Sequence, residues 1–391
     1  NDLSVNGEAP LSMTLDGKDH QSCQFLSKRA PDESHEFTWK EVTTTRGGEL
    51  AEILGDQLRS VDSLVVKGYV NDKDFHAMWD ASLYGYLSVI NLKNAVLENN
   101  AVPDTAFFHE NEQYEGSSHE IFYYIGLRKI ILPEGLEKIG EGAFYQASAL
   151  RQVNFPSTLR YIGDFAFNAT KLEMNQLVIP EGVEEINQYA FAFCRKLKAQ
   201  VILPSTIKKI GEWAFYGCPI TSINLPEGLE SLGSLAFWDC DLREVSIPSS
   251  CHEFNEGWQF GFNRNLEKMH LPEGMTEIPD HFAVDCFRLR EVNFPHTLKH
   301  IGEKAFSLCI SLKNVDLPLG MQSLGEEAFS ELEALEQIVF PASMKSLGKN
   351  SCSYWKNIKR IYCAAIEPPV CDPTDGGVFS GFDFPDGLNT P

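Results

Sequence analysis

The chain has 391 residues, 43% of them hydrophobic and 23% charged, and its net charge is −22. That balance suits a folded, well-solvated chain and repels nucleic acid and anionic membrane surfaces. No run approaches the ~18 apolar residues of a membrane span, and the length exceeds most single compact cores unless units stack in series.

The N-terminus, "NDLSVNGEAP", lacks a basic and apolar leader, which fits a cytosolic chain or one whose leader has been removed. Residues 1–45 show no repeat and read as an N-terminal segment or cap. Alternation in "HEFTWKEVT" (35–43) predicts a strand there. Residues 46–126 read as worn repeats with an insertion. "VDSLVVKG" (61–68) and "LSVINLKN" (87–94) carry a strand signature, and "VPDTAF" (102–107) echoes a motif that recurs later. Residues 108–126 lengthen that unit and are expected to bulge as a loop.

Residues 127–357 repeat regularly. Prolines at 133, 156, 180, 204, 226, 248, 272, 295, 318 and 341 are spaced by 22 to 24 residues. Counted from each proline, position +3 is apolar, as in Leu136, Val183 and Met275, and position +6 is Ile, Leu or Phe. Position +7 is mostly Gly, positions +10 and +11 are mostly Ala-Phe, and position +14 is Cys194, Cys218, Cys240, Cys286 and Cys309. Each unit closes as "LRQVNFP" (150–156) does, with apolar residues alternating with polar ones. That is a short half-buried strand, ended by a proline that cannot continue a ladder. Gly or Thr at +2 and Gly at +7 supply turns, and the Ala-Phe segment is expected to form a short helical or irregular turn. One unit cannot bury its apolar face, but stacked units can. At roughly 4.8 Å per coil, about thirteen parallel coils make a solenoid about 60 Å long.

"LPEGLEKIGEGAFYQASALRQVNFP" (132–156) and its copies resemble the BspA-like leucine-rich repeats of bacterial surface proteins, over roughly residues 60–365. The resemblance implies a β/α solenoid: a right-handed leucine-rich-repeat superhelix with one parallel sheet on its concave face. It also implies export to the cell surface or outside the cell, and binding of proteins or host surfaces without catalysis. A lipid anchor upstream of residue 1 belongs to the same expectation. "IKRIYCAAIEPPVCDPTDGGVF" (358–379) resembles the closing segment of the family. Members continue into another strand and turn, so the C-terminal cap, 358–391, is expected to be incomplete.

No residue pattern points to a cofactor, a metal or a catalytic centre. The recurring thiols face inward if Phe at +11 does, which makes them small hydrophobes, and stacked in-register side chains suit disulfides poorly. Cys363 and Cys371 flank a Pro-Pro turn, where a disulfide is allowed. Cys23 has no evident partner. His-Glu pairs at 35–36, 119–120 and 252–253 lack the second His of a zinc motif, and "DPTDGG" (372–377) lacks the distal ligands of a calcium loop. "NAT" (168–170) is a glycosylation sequon.

Two surfaces could receive a partner. The outward positions of the strands carry Arg243, Lys268, Arg290 and Lys313 and are the least acidic part of the chain. They would suit an acidic protein or a sulfated glycan, although opposite charges such as Arg243, Glu267 and Arg290 would equally stabilise stacked strands. The second surface is aromatic. The residue before Ala at +10 reads Phe165, Tyr189, Trp213 and Leu235 in successive units. The residue after Phe reads Tyr216 and Trp238, then Phe260 in a slightly shifted unit, where later units have Ser307 and Ser330. Tyr and Trp are favoured interface anchors, but such rings also pack between coils. The expected function is a binding scaffold for a protein or host-surface ligand. A carbohydrate-binding module would need exposed rings laid flat beside Asp, Asn or Gln. A mere spacer would show no concentrated aromatic area.

Overall fold

The computed structural model describes residues 35–108, 125–371 and 377–380. It also gives the backbone of the strands Thr14–Leu15, Lys18–Asp19, Gln24–Leu26 and Ile121–Tyr123. Cys23, most of the 108–126 insertion and most of "DPTDGG" lie outside the described residues.

The chain is a parallel solenoid of about thirteen coils with little helix. The expected N-terminal strand is β1 (Trp39–Thr44), which pairs in parallel with β2 (Ser63–Val70); β2 pairs with β3 (Val89–Leu97). Between β2 and β3 lies α2 (Asp72–Tyr84), preceded by a short α1 (Leu50–Leu54). Asn71 caps α2 by accepting from the Lys73 N–H, and the Asp74 carboxylate returns the bond to the Asn71 N–H. Two orphan donors are satisfied by that box. Phe75 on α2 meets the ring of Phe107 edge-on at 6.0 Å.

Each regular coil contributes to two ladders. The predicted strands form the first, in runs such as Gln176–Val178, Gln200–Ile202 and Ser222–Asn224, paired in register. The second is built from pairs such as Lys138–Ile139, Tyr161–Ile162 and Lys209–Ile210 at positions +5 and +6, and adds to the sheet expected from sequence. Polar side chains bridge the coils where the backbone does not. The Asn154 side chain accepts from the Leu132 N–H and donates to its carbonyl, and Asn224 and Asn293 treat Leu203 and Leu271 alike. Thr at +2 does more than turn the chain. The Thr158 hydroxyl donates to the Leu136 carbonyl and accepts from the Gly135 N–H.

The Ala-Phe segment is an irregular turn with two left-handed residues per coil, at +9 and +13. This geometry turns alternate N–H groups along the axis, so Tyr189, Phe191 and Phe193 donate to carbonyls of Glu212, Ala214 and Tyr216 in the next coil. Between them the phenylalanines form a spine. Rings of Phe144, Phe167, Phe191, Phe215, Phe237 and Phe260 stack face to face at 5.1 to 5.6 Å, with interplanar angles of 4° to 11°. All are fully buried. Phe260 therefore belongs to the spine and not to the outer aromatic surface on which the sequence placed it.

The cysteine column is inward and unbridged. Its thiols also have a bonding role. Cys194, Cys218, Cys240 and Cys286 donate to the carbonyls of Phe167, Phe191, Phe215 and Phe260, each one coil back. Where the column lacks a thiol, Asn263 donates its amide to the Phe237 carbonyl at 2.7 Å, and Trp355 its indole N–H to Phe329 at 2.6 Å. Burial pushes the Cys286 thiol up to about 12, so the proton stays where the hydrogen bond needs it. Cys363 and Cys371 are exposed free thiols and form no bridge. Asn168 of the sequon is 4% exposed and leaves no room for a glycan.

Among the described residues the second ladder divides once, between Glu253–Phe254 and Glu277–Ile278. In ordinary coils a glycine N–H at +7 closes the bond, as Gly211 does to Ile186 and Gly302 to Ile278. Pro279 occupies that place and has no N–H to give. The coil before it also carries an extra residue between Phe254 and Phe260. Gly257 absorbs it at φ +81°, pressed so close to the Asp280 carbonyl that a Cβ would stand 2.0 Å from the oxygen.

Candidate partner-binding site

The aromatic residues singled out from sequence fall in one row beside the spine. Phe165 stacks on Tyr189 at 4.7 Å and 7°, and Tyr189 on Trp213 at 5.3 Å and 15°. Tyr216 leans on Trp213 at 4.4 Å and on Phe193 at 5.1 Å. All of these rings are half-buried. Tyr145, which precedes the row, meets Phe165 edge-on at 5.9 Å. The in-register spacing follows from the coil repeat, because identical positions on stacked coils stand about 5 Å apart.

The backbone under the row is unusual. Phe165, Tyr189, Trp213 and Trp258 have φ of 55°, 54°, 56° and 66°. A bulky residue in the left-handed region is an outlier, with a cost of order 1 kcal/mol. Glycine fills this column at 142, where no such cost arises. Stacking of the rings offsets the strain and keeps them in a fixed array.

Trp238 begins a second cluster. Its ring lies 5.2 Å from Trp258 and 4.5 Å from Phe262, and Trp258 stacks on His281 at 3.6 Å. Gly261 lies against the Trp238 ring so closely that a Cβ would collide with it. Sequence reading missed Phe193, Trp258 and Phe262. The signal was the left-handed column itself, which no propensity scale marks.

Charges border the row. Arg195 lies over Phe193 at 5.5 Å and pairs with Asp239 at 3.0 Å. Burial raises the phenols of Tyr189 and Tyr216, and Glu212 and Asp239 add to the rise. Both phenols are neutral hydrogen-bonding groups at pH 7.

The strand-face residues are placed differently. Arg243, Lys268, Arg290 and Lys313 are all exposed. Lys268 pairs with Glu291 at 3.3 Å, and Lys313 with Glu336 at 3.2 Å; Glu336 also takes Lys359 at 3.1 Å. Hydrogen bonds from Lys359 and Lys313 hold the Glu336 carboxyl below its ordinary range. Much of this face therefore pairs with itself. No group of three or more His, Cys, Asp or Glu residues suited to a metal occurs among the described residues, and no helix there is long and apolar enough to cross a membrane.

A family model of the BspA type leucine-rich repeat region matches residues 117–202, 198–309 and 281–365, in six copies. The comparison with curated proteins gives no match. Among solved structures, a leucine-rich repeat protein of Bacteroides ovatus is similar at 24% identity, over 68% of this chain and 76% of its own, with a TM-score of 0.46. A leucine-rich repeat protein of T. pallidum is 29% identical over 41% of this chain and 77% of its own, with a TM-score of 0.38. A leucine-rich cell surface protein of Faecalibacterium prausnitzii is 17% identical over 92% of this chain and 96% of its own, also at 0.38. The family match spans well over half of the sequence and agrees with the coil-by-coil register, so this chain belongs to the BspA type leucine-rich repeat family.

Proposed function

We propose that the chain is a non-catalytic binding scaffold exposed at a cell surface, and that it holds a protein partner on the row Phe165, Tyr189, Trp213 and Tyr216, with Trp238 at its end. The carrying observation is that Phe165, Tyr189 and Trp213 keep large rings at left-handed backbone positions, half open to solvent, with Tyr216 leaning on Trp213. Pre-ordered rings lose little entropy on binding, which favours them as anchors. The family, whose repeats are typical of interaction scaffolds, supports the same reading.

A glycan fits this surface less well. Sugars stack on open ring faces, and both faces of Tyr189 are covered by Phe165 and Trp213. The solvent-facing part of Tyr189 is therefore its edge and hydroxyl tip, which suits the side chains of a protein. The strand face is the second candidate, because Arg243 and Arg290 stand exposed there with no salt bridge among the described residues.

The test is biolayer interferometry of the whole chain against a panel of extracellular-matrix proteins and mucins. A Trp213→Ala, Tyr216→Ala double variant should lose at least tenfold in affinity for any binder, the scale of one anchor, with its circular dichroism unchanged. Undiminished binding by that variant, with loss instead in Arg243→Ala, Arg290→Ala, would move the site to the strand face.

A further inference from the structure

Where the second ladder divides, the two strand edges enclose a crevice of about 630 Å³. That size is typical of a ligand site. Its walls come from both edges: Cys251, His252, Phe254 and Glu256 on one side, Met275, Thr276, Glu277 and Asp280 on the other. The floor is apolar, because Cys251 and Met275 are buried and Phe254 packs against Phe282 at 5.7 Å.

The edges themselves are chemically unspent. In neighbouring coils the N–H groups at +4 and +5 both donate to one carbonyl of the coil before, as Glu230 and Ser231 do to Lys208, and Lys299 and His300 to Thr276. By the same register, Thr276 and Glu277 would donate to His252, and residue 279 to Phe254. The ladder is divided at this point and residue 279 is proline. The crevice thus presents two N–H donors on one wall and two carbonyl acceptors on the other. Parallel edges with free donors and acceptors are what an extended peptide uses to add itself to a sheet.

The rim selects the peptide. Glu253, Glu256, Glu277 and Asp280 border the crevice or its strands, and no salt bridge among the described residues reaches any of them. The Asp280 carboxylate does accept from the Glu303 N–H at 2.6 Å. Of the crevice lining only His252 can carry positive charge, and its Nδ1 meets the Ser250 carbonyl at 2.6 Å; Lys299 and His300 lie on the following strand beyond Glu277.

We infer that the divided ladder between Glu253–Phe254 and Glu277–Ile278 is a binding site for a short extended peptide segment carrying lysine or arginine. The peptide backbone pairs with the open edges, small apolar side chains face Phe254 and Met275, and its cations meet Glu256 and Glu277. This site lies apart from the aromatic row and stands independently of the function proposed for it.

The probe is a fluorescein-labelled, N-acetylated Lys-Val-Lys-Val-Lys amide, with Glu-Val-Glu-Val-Glu as its charge-reversed counterpart. Anisotropy titration of the full chain should show binding of the first and not of the second. Glu256→Gln with Glu277→Gln should weaken it about five- to tenfold, the scale of two part-exposed charge pairs. Both residues are exposed, so the fold should survive. A peptide N-methylated at its two valines should lose binding, because it can no longer donate to the edge. Hydrogen exchange at Thr276 and Glu277 should slow when the lysine peptide is bound. Failure of that peptide to bind at millimolar concentration would overturn the inference. So would equal binding of the N-methylated peptide, or protection confined to other coils.

Discussion

Coils that look alike in sequence are not equally joined. From Phe144 to Phe260 every coil carries a stacked spine ring, and the second ladder runs unbroken to Glu253–Phe254. One coil later the order Ala-Phe becomes Phe282-Ala283, and Phe282 turns edge-on to Phe260 at 76°. Ala283 takes the spine's place in the backbone, donating to Ala305 as the phenylalanines do. The extra residue lies in one coil and Pro279 and the inverted pair in the next, and together they open the junction between the two. A repeat tolerates such a defect because the remaining contacts of each coil are with its own neighbours.

The comparison makes predictions of graded size. Phe215→Ala should cost about 3–5 kcal/mol in chemical denaturation, as expected of a fully buried ring clamped between two others. Phe282→Ala should cost less, because that ring meets Phe260 and Phe254 edge-on and is not clamped between two parallel rings; equal losses would mean that the break in stacking has no energetic weight. Asn263→Ala should cost about 2–3 kcal/mol, since the Asn263 side chain serves the carbonyls of Phe237 and Phe260 and the Leu242 N–H. Cys240→Ala removes a single weaker donor and should cost nearer 1 kcal/mol. If the two cost the same, the column is packing and its hydrogen bonds are incidental.

Alkaline pH tests the thiols as a set. The folded chain holds Cys286 near 12, while its ordinary value is 9.0. The unfolded chain therefore ionises first. Stability should be intact below pH 9 and fall as pH rises from there toward about 12. Cys→Ala variants in the column should flatten that fall, measured as urea midpoints across the range. The smallest effect is kinetic: iodoacetamide at pH 8 should modify Cys363 and Cys371 promptly and leave the buried thiols intact.

Much of this was legible in the sequence. Proline spacing fixed the coil length, the Val-x-Phe alternation located the first ladder, and the Phe and Cys columns pointed inward as found. The second ladder was not legible, because two residues per coil are too few to show alternation. The left-handed column was hidden for a different reason. Trp and Tyr are poor residues for positive φ, so tertiary stacking had to override local preference at Tyr189 and Trp213. The helix α2 had a readable signal in "NDKD" (71–74), a capping box, masked by the strand-like segments on either side. The breach also left marks: one residue too many before Phe260, and Pro279 where its neighbours have glycine. Each alone reads as repeat drift. Their meaning emerged only when the two edges were seen to face one another.

The division of the second ladder also bears on how the molecule carries load. A scaffold gripped at both ends transmits tension through its coils in series, and the weakest junction sets the force at which it lengthens. Between Phe254 and Ile278 the second ladder is missing, and between Gln152–Val153 and Gln176–Val178, and between Ser222–Asn224 and Glu244–Ser246, the first ladder is, so each of these junctions carries load on a single ladder. The array then has several compliant joints, and a segment wedged into the crevice at the second-ladder break would stiffen that one.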